Sequence, residues 1–371
     1  MNLSFSEEQE DLRRTIRRFL EQKSPVSEVR RLMDTTEGYD AALWSQMATE
    51  LGLQSLIIPE QYGGSGYTYI ELAVVFEEMG RALLCAPYFS TVAMAANVIL
   101  LSEDEIAKAE LLPGIADGST IATLALAEDS GSWSLESIGC SAANSNGVWH
   151  IRGHKNFVID GHVADLVIVA ARTEAGLGLF AVDKSAPRFD YTRIVTLDPT
   201  RKLARMEFSG TPARLIGREG GGTEALSNTL HRAAVANALE QVGAAQRCME
   251  MSVEYAKVRT QFGRPIGSFQ AIKHKCADML LDVESAKSAA YYAAWLVAEN
   301  SDDLPAIASM AKAYCSDAFF RTAAENIQVH GGIGFTWEHD AHLYFRRAKA
   351  SEILLGDPTY HRELLARCIE F

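Results

Sequence analysis

The chain has 371 residues, of which 48% are apolar and 22% are charged, and its net charge is −13. This length suits two or three domains rather than a single hydrophobic core, and the composition excludes a disordered or fibrous protein. An acidic chain repels a phosphate backbone, so nucleic acid is not an expected partner.

Cysteines and apolar segments predict the compartment. The six cysteines are scattered, and no two of them have Cys-x-x-Cys spacing. This excludes common zinc and redox-pair motifs and favours a reducing cytoplasm. The first residues, MNLSFSEEQEDLRRTIRRF, lack the apolar segment of a signal peptide, and the longest apolar runs are too short to cross a membrane. We therefore expect a cytoplasmic protein without a membrane span.

Helical periodicity dominates the first ~110 residues. Ser6 precedes a cluster of glutamates, which predicts an N-cap followed by acids that complement the helix dipole. The apolar run at residues 70–84 predicts a further helix, with Glu77 and Glu78 on its polar side.

The pattern changes near residue 114 to short strand-like runs bounded by Gly, Asn and Ser. Their spacing leaves no room for crossover helices, which predicts antiparallel pairing. The glycine-rich segment 217–222 predicts a hinge, and the long Ala-rich runs after it predict a helical bundle. The predicted fold is therefore α+β multidomain, with an N-terminal helical domain (1–113), a middle antiparallel β domain (114–218) and a C-terminal four-helix bundle (219–371).

Four segments carry the most specific pattern. They are IPEQYGGSG at 58–66, Gly153-His154-Lys155 with the strand at 164–169, YAKVRTQFGRPIGSFQAI at 255–272, and QVHGGIGFT at 328–336. Together they resemble the acyl-CoA dehydrogenase family over the whole chain. The resemblance implies the fold of that family, an FAD cofactor, and α,β-dehydrogenation of an acyl-CoA thioester in lipid metabolism and β-oxidation.

The third and fourth segments have the chemistry to hold a dinucleotide. Arg259 is permanently charged and suits a pyrophosphate, Phe262 offers a flat apolar face, and paired glycines permit close backbone approach. On composition alone, a helix cap and a tight turn would explain them equally well. The resemblance implies that FAD of an adjacent subunit is contacted by Arg259, Gln261, Phe262, Gln270, Gln328, His330, Gly331 and Gly332.

The other half of the flavin site departs from the family pattern. Ala127-Glu128-Asp129 stands where the family carries Thr-Glu-Pro, and Ser132 and Ser134 are the candidates for a shifted hydroxyl. Fewer side-chain donors to a flavin ring are therefore expected in this chain.

Neither family position for the catalytic glutamate holds a carboxylate. Leu355 stands at the position in the C-terminal loop, and His231 stands at the position early in the C-terminal bundle. Three interpretations remain open. A partner supplies the base, as in paired bacterial subunits acting on bulky steroid side chains. Asp357 or His231 serves as the base. Or the chain has diverged to another reaction or to binding alone.

The expected partners follow from these alternatives. Arg232 keeps the family arginine and is expected near the acyl-CoA, with a helix salt bridge as the alternative. The chain is expected to form a homodimer, a heterodimer or an α2β2 heterotetramer with a glutamate-bearing family member, and to pass electrons to an acceptor protein. The rival class is a helical interaction protein without a cofactor. The polar run at 338–342 is interpreted as a solvated cap, so no metal is expected.

Overall fold

The computed structural model describes residues 5–369. The helices are α1 Glu7–Lys23, α2 Val26–Met33, α3 Ala41–Thr49, α4 Tyr69–Arg81, α5 Asn97–Leu100, α6 Glu105–Ala116, α7 Gly222–Val258, α8 Gln270–Ala298, α9 Leu304–His330, α10 Ala341–Ile353 and α11 Pro358–Cys368. A π-helix occupies Phe89–Ala96. The strands are β1 Ala122–Ala125, β2 Ser141–Ser145, β3 Val148–Ile159, β4 Leu166–Thr173, β5 Gly176–Asp183, β6 Phe189–Ile194, β7 Leu203–Ile216, β8 Thr260–Gln261 and β9 Arg264–Pro265.

The described chain divides into two compact units. The helical unit comprises residues 5–30, 69–84 and 234–369, and the sheet unit comprises residues 31–68 and 85–233. No helix among residues 5–369 is both long and apolar enough to cross a membrane.

The helical unit is built on long helices that pack through small residues. α8 packs on α9, α9 packs on α10 and α11, and α1 packs on α4. α4 and α7 approach closely, because a Cβ added at Gly80 would lie 2.0 Å from the Glu240 carbonyl oxygen and one at Gly243 would lie 1.8 Å from the Glu77 carbonyl oxygen. Any side chain at either glycine would force these helices apart.

The predicted N-cap is confirmed. The Ser6 hydroxyl accepts the Gln9 N–H at 3.2 Å, and the Gln9 side chain accepts the Ser6 N–H at 3.0 Å. This reciprocal capping box satisfies two backbone donors at the start of α1. Glu77 and Glu78, predicted on the polar side of α4, are buried, with exposed fractions of 4% and 1%.

The sheet unit holds the predicted β domain. Its pairings run β4–β2–β3–β7–β5 and return to β4, which closes the sheet on itself. The hairpin ladders are antiparallel as predicted, but β1 pairs with β4 in parallel, with Ala122 opposite Leu166. Parallel pairing is possible here because β2 and β3 lie between these two strands along the chain and supply a long connection.

The predicted hinge lies between the last strand of the sheet and α7. β7 ends at Ile216, α7 begins at Gly222, and Gly217 and Gly220 have φ angles of +76° and +73°. These left-handed conformations favour glycine and let the chain turn sharply. The two domain limits, at 113/114 and 218/219, remain predictions.

Candidate functional site

An open cavity of about 410 Å³ lies in the helical unit, between the end of α7, the β8–β9 hairpin, the start of α8 and the end of α9. It is lined by Tyr255, Arg259, Gln261, Phe262, Ile266, Phe269, Ile272, Val329, His330, Gly331 and Gly332. Two segments separated by more than fifty residues in sequence therefore form one concave surface.

The hairpin presents its side chains outward. Phe262 and Gly263 have φ angles of +54° and +75°, which reverse the chain within the turn, and Phe262 is 91% exposed. Arg259 is also exposed, and none of the carboxylates in the described chain lies within ion-pair distance of its guanidinium. The cavity thus has a permanent cation that forms no ion pair with residues 5–369.

The opposite wall is aromatic. The His330 ring stacks on Tyr255 with centroids 4.3 Å apart, and the His339 ring centroid lies 4.4 Å from that of His330. His330 Nδ1–H donates to the Asn326 carbonyl at 2.8 Å, which fixes the ring orientation. Burial lowers the pKa of His330, so the ring is neutral near pH 7 and presents a flat surface.

Six of the eight residues predicted to bind the cofactor line this cavity, namely Arg259, Gln261, Phe262, His330, Gly331 and Gly332. Gln270 and Gln328 are exposed and do not line it. Sequence reasoning missed the other five lining residues, although all lie inside the segments that carried the resemblance: Tyr255, Ile266, Phe269, Ile272 and Val329.

The donor set fits a dinucleotide. A guanidinium suits a pyrophosphate, the Gln261 amide can pair with polar atoms, and Phe262 and Phe269 offer ring faces. A Cβ added at Gly331 or Gly332 would meet nothing within 4 Å, so their backbone borders open space that a ligand can occupy.

The loop between α10 and α11 carries the first of the two positions where the family has a glutamate. Leu355 is 3% exposed and adopts a left-handed conformation with φ +65°, followed by Gly356 at φ +108°. Asp357 is exposed, and its carboxylate caps α11 by accepting the Tyr360 N–H at 2.8 Å. A hydrocarbon therefore fills the buried position, while the nearby carboxylate serves the helix terminus.

The second position lies on α7 within the sheet unit. His231 Nδ1 is buried and has no hydrogen-bond partner in the described chain, and burial lowers the pKa of the ring. Arg232 Nη1 donates to the Asn97 side chain at 3.4 Å. The Asn97 amide donates in turn to the carbonyls of Val92 and Ala93 in the π-helix, so a side chain stabilises this uncommon backbone.

The loop from residue 127 to 140 is closed by a buried ion pair. Lys155 is 0% exposed, and its Nζ donates to Glu128 Oε1 at 2.9 Å and to the Leu126 carbonyl at 2.9 Å. The Glu128 carboxylate also accepts the N–H groups of Gly139 and Cys140. Because all of its partners belong to the loop or its supporting strand, Glu128 fixes the two ends of the loop together.

Ser132 and Ser134, the candidates for the shifted hydroxyl, both serve local turns. Ser132 Oγ accepts the Ser134 N–H at 3.2 Å, and Ser134 Oγ accepts the Glu136 N–H at 3.4 Å. A hydroxyl that accepts in a turn retains its own O–H as a donor. Ala127 has no side-chain donor and is 3% exposed.

Polar side chains at 338–342 form hydrogen bonds with other groups of the protein. The Asp340 carboxylate accepts from Arg30 at 2.9 Å, His339 Nδ1 accepts a backbone N–H, and His342 Nε2 donates to the Trp337 carbonyl at 3.1 Å. Across residues 5–369, no group of three His, Cys, Asp or Glu side chains has the arrangement of a metal site.

Known proteins resemble the chain over its full length. The profiles of the acyl-CoA dehydrogenase N-terminal and C-terminal domains match residues 6–119 and 220–370. Acyl-CoA dehydrogenase IpdE2 of Mycobacterium tuberculosis is 35% identical over 97% of this chain and 96% of its own.

Solved structures give the same result. A chain of the ChsE4–ChsE5 complex from Mycobacterium tuberculosis has a TM-score of 0.91 and 28% identity, covering 100% of this chain and 99% of that one. A chain from a single-residue variant of the Tcur3481–Tcur3483 steroid ACAD has a TM-score of 0.90 and 29% identity, covering 98% of both. The chain therefore belongs to the acyl-CoA dehydrogenase family, whose members are FAD-dependent oxidoreductases that act on the CH–CH group of an acyl-CoA.

Proposed function

We propose that this chain is the glutamate-lacking subunit of a heteromeric acyl-CoA dehydrogenase that acts on a steroid or similarly bulky acyl-CoA in the cytoplasm. The observation that carries the proposal is Leu355, a buried hydrocarbon at the family position of the base. The loop around it is regular and hydrogen-bonded, with the Leu355 carbonyl accepting from His361 Nε2 at 3.1 Å. Leucine replaces the family's glutamate while the hydrogen-bonded loop is retained. This fits a subunit that keeps the family fold and assembles with a catalytic partner.

The relatives support the choice of partner and substrate. Two similar solved structures are a complex of two named chains, ChsE4 and ChsE5, and a steroid ACAD named for two chains. A glutamate-bearing partner of the same family would remove the α-proton of the acyl-CoA. The electrons would then leave to an electron-transfer acceptor.

This chain's contribution is to bind and orient the cofactor. Arg259 would neutralise pyrophosphate charge, and Gln261, Phe262, His330 and the glycines would hold the adenosine end of FAD from an adjacent subunit. When bound, FAD accepts the hydride that leaves the β-carbon. The candidate contacts to the acyl-CoA are Arg232 and the π-helix that Asn97 stabilises.

The proposal is tested by assaying the chain alone and together with a glutamate-bearing family member. Flavin bleaching and an artificial electron acceptor would report turnover on steroid, branched and linear acyl-CoAs. We expect the isolated chain to be slower by about 10²–10⁴-fold, the usual contribution of a general base. Turnover by the isolated chain at the rate of the assembled protein would contradict the heteromer proposal.

The second candidate is a homo-oligomeric dehydrogenase that uses another base. His231 is the better candidate for this base than Asp357, because its Nδ1 is buried and has no hydrogen-bond partner among the described residues. His231→Gln and Asp357→Asn are compared because each keeps the shape and removes the basic site. If either variant abolishes turnover of the isolated chain while flavin stays bound, that residue is the base. Asp357→Asn is expected to leave turnover unchanged, because its carboxylate is an exposed helix cap.

Arg259→Ala is predicted to weaken FAD binding by about 1.5–3 kcal/mol, the scale of a hydrogen bond from a charged donor. The matched control is Arg264→Ala in the same hairpin, whose guanidinium lies 4.1 Å from the Phe269 ring centroid and does not line the cavity. Flavin absorbance of the assembled protein after dialysis measures the loss. Equal flavin retention in the two variants would show that the Arg259 charge does not contact the cofactor.

A further inference from the structure

A buried lysine lies beneath the loop that carries Leu355. Lys312 on α9 is 0% exposed, and its Nζ donates to the Glu352 carbonyl and the Gly356 carbonyl, each at 3.1 Å, and to Ser316 Oγ at 3.0 Å. An ammonium has three N–H donors, and all three have acceptors here. Two of these acceptors are backbone carbonyls that bracket residue 355.

Three further carbonyls of this segment also accept from side chains. Asn237 on α7, which is 0% exposed, donates to the carbonyl of Ser351 at 3.1 Å and to that of Leu354 at 3.5 Å. His361 on α11 donates to the Leu355 carbonyl. Side chains from three helices thus bond the backbone of residues 351–356 from inside the protein.

We propose that Lys312 is a positioning residue for the loop of residues 354–357, the Leu355 loop. It holds the left-handed backbone of this loop by bonding the carbonyls of Glu352 and Gly356, which lie on either side of Leu355. Burying an amine costs free energy, and a hydrocarbon of the same length would fill the space at lower cost. The carbonyls of Glu352, at the end of α10, and of Gly356, in the loop, explain the lysine, since without its N–H groups they would lose their side-chain donor inside the protein. The link to acyl-CoA turnover rests on the proposed function, but the effect on loop shape does not.

The hydrogen-bond network keeps the two carbonyls bonded in either protonation state. Ser316 Oγ lies 3.3 Å from Gln241 Oε1 as well as 3.0 Å from Lys312 Nζ, so its hydroxyl can turn and donate to a neutral amine. A neutral amine still has two N–H donors, which matches the two carbonyls. The loop shape is therefore expected to be insensitive to pH.

The test compares Lys312→Met with Lys312→Gln in the assembled protein with its FAD and partner. Both variants remove the charge and have similar length, but only glutamine retains donors for the carbonyls. The control is Lys349→Met, which removes a lysine that pairs with the Glu352 side chain at 3.0 Å and bonds no loop carbonyl. Hydrogen exchange of peptides covering residues 351–360 reports the loop, because the Leu354 and Gly356 N–H groups donate to the Ala350 and Ile353 carbonyls at the end of α10.

We expect exchange in Lys312→Met to be about tenfold faster or more in this segment, as for lost bonds from a charged donor, with Lys312→Gln between Met and wild type. A lysine that only filled space would give the opposite order, because methionine is the better apolar filler. Equal exchange in Lys312→Met, Lys312→Gln and wild type would overturn the proposal.

Two further readouts keep the proposal testable. If Lys312→Met does not fold, Lys312→Gln alone is compared with wild type: faster exchange in residues 351–360, with Lys349→Met unchanged, is the expected result, and exchange equal to that of wild type would overturn the proposal. The value of kcat/KM for the complex is expected to fall about tenfold in Lys312→Met with FAD content unchanged. If Lys312→Met exchanges faster in the loop but keeps the wild-type kcat/KM, the shape of the loop does not affect acyl-CoA turnover. That result would count against the proposed function and leave the positioning role of Lys312 intact.

Discussion

Replacing Arg13 by methionine is expected to destabilise the helical unit by about 3–5 kcal/mol, the cost of breaking a buried ion pair. Arg13 Nη1 lies 2.6 Å from Glu77 Oε2, and its Nη2 donates to the Tyr291 hydroxyl at 3.0 Å. The hydroxyl of Tyr291 donates to the same carboxylate, and Lys287 Nζ lies 3.4 Å from its other oxygen. Without Arg13, the buried Glu77 carboxylate retains Lys287 as a cationic partner, and this longer contact offsets only part of the cost of burying the charge.

The comparison that isolates this effect is the double variant Arg13→Met/Glu77→Met. It removes both charges, so it is expected to regain most of the stability lost in Arg13→Met. Arg14→Met is the surface control, since both Arg14 and its partner Asp11 are more than 60% exposed, and it should change stability by less than about 0.5 kcal/mol. Urea midpoints of the three variants measure these differences. A loss in Arg13→Met no larger than that in Arg14→Met would contradict the buried-pair account.

The same cluster predicts a loss of stability in acid. Burial alone would raise the pKa of Glu77, but Arg13 and Lys287 outweigh it and hold that pKa below the ordinary value. A carboxyl whose folded pKa is depressed stabilises the protein above the unfolded pKa of about 4.5 and loses this contribution as pH falls through the folded value. The loss of stability as pH falls should therefore be shallower in Arg13→Met/Glu77→Met, which lacks this carboxyl, than in wild type.

Glu77 also shows where sequence reasoning fails. Periodicity placed Glu77 and Glu78 on the polar face of α4, and a polar face normally lies in solvent. Their partners Arg13 and Arg17 come from α1, more than sixty residues earlier in the chain. No local pattern contains a pairing of this kind, and the structure alone shows that the polar face is buried against a matching one.

The cofactor cavity was easier to predict, because its residues occupy two contiguous segments. The hairpin turn at Phe262 and Gly263 and the helix end at Gly331 are local features with local sequence signals. Lys312, in contrast, lies inside a helical run, and two of its three acceptors are carbonyls about forty residues away. Backbone acceptors have no residue type, so the sequence could not identify its role.

Lys312 also gives rise to a pH dependence of stability that one substitution should remove. Burial lowers the pKa of Lys312 from 10.5 to about 7, opposed by the nearby Cys315 and by three carboxylates. Those carboxylates belong to Glu352, Asp357 and Asp317. Below pH 7 the lysine is protonated in both the folded and unfolded states, and the folded state carries the full cost of the buried charge.

As pH rises from 7 toward 10.5, the folded protein loses the Lys312 proton, half of which is already gone at pH 7, while the unfolded chain still binds it. The free energy of unfolding of wild type should therefore increase by up to about 1.4 kcal/mol per pH unit from this residue, or about 2 kcal/mol between pH 7 and pH 9. Lys312→Met lacks the titrating group and should not show this gain.

The quantity to measure is the stability of wild type minus that of Lys312→Met, from urea unfolding at pH 7, 8 and 9. All other titrating groups are common to both proteins and cancel in the difference, while lost hydrogen bonds add a constant offset. The difference is expected to widen with pH, whereas wild type minus Lys349→Met should stay flat, because Lys349 is a half-exposed surface lysine. A wild-type minus Lys312→Met difference that stays constant from pH 7 to pH 9 would mean that Lys312 keeps its proton in the folded protein, so that its three acceptors offset the cost of burial completely.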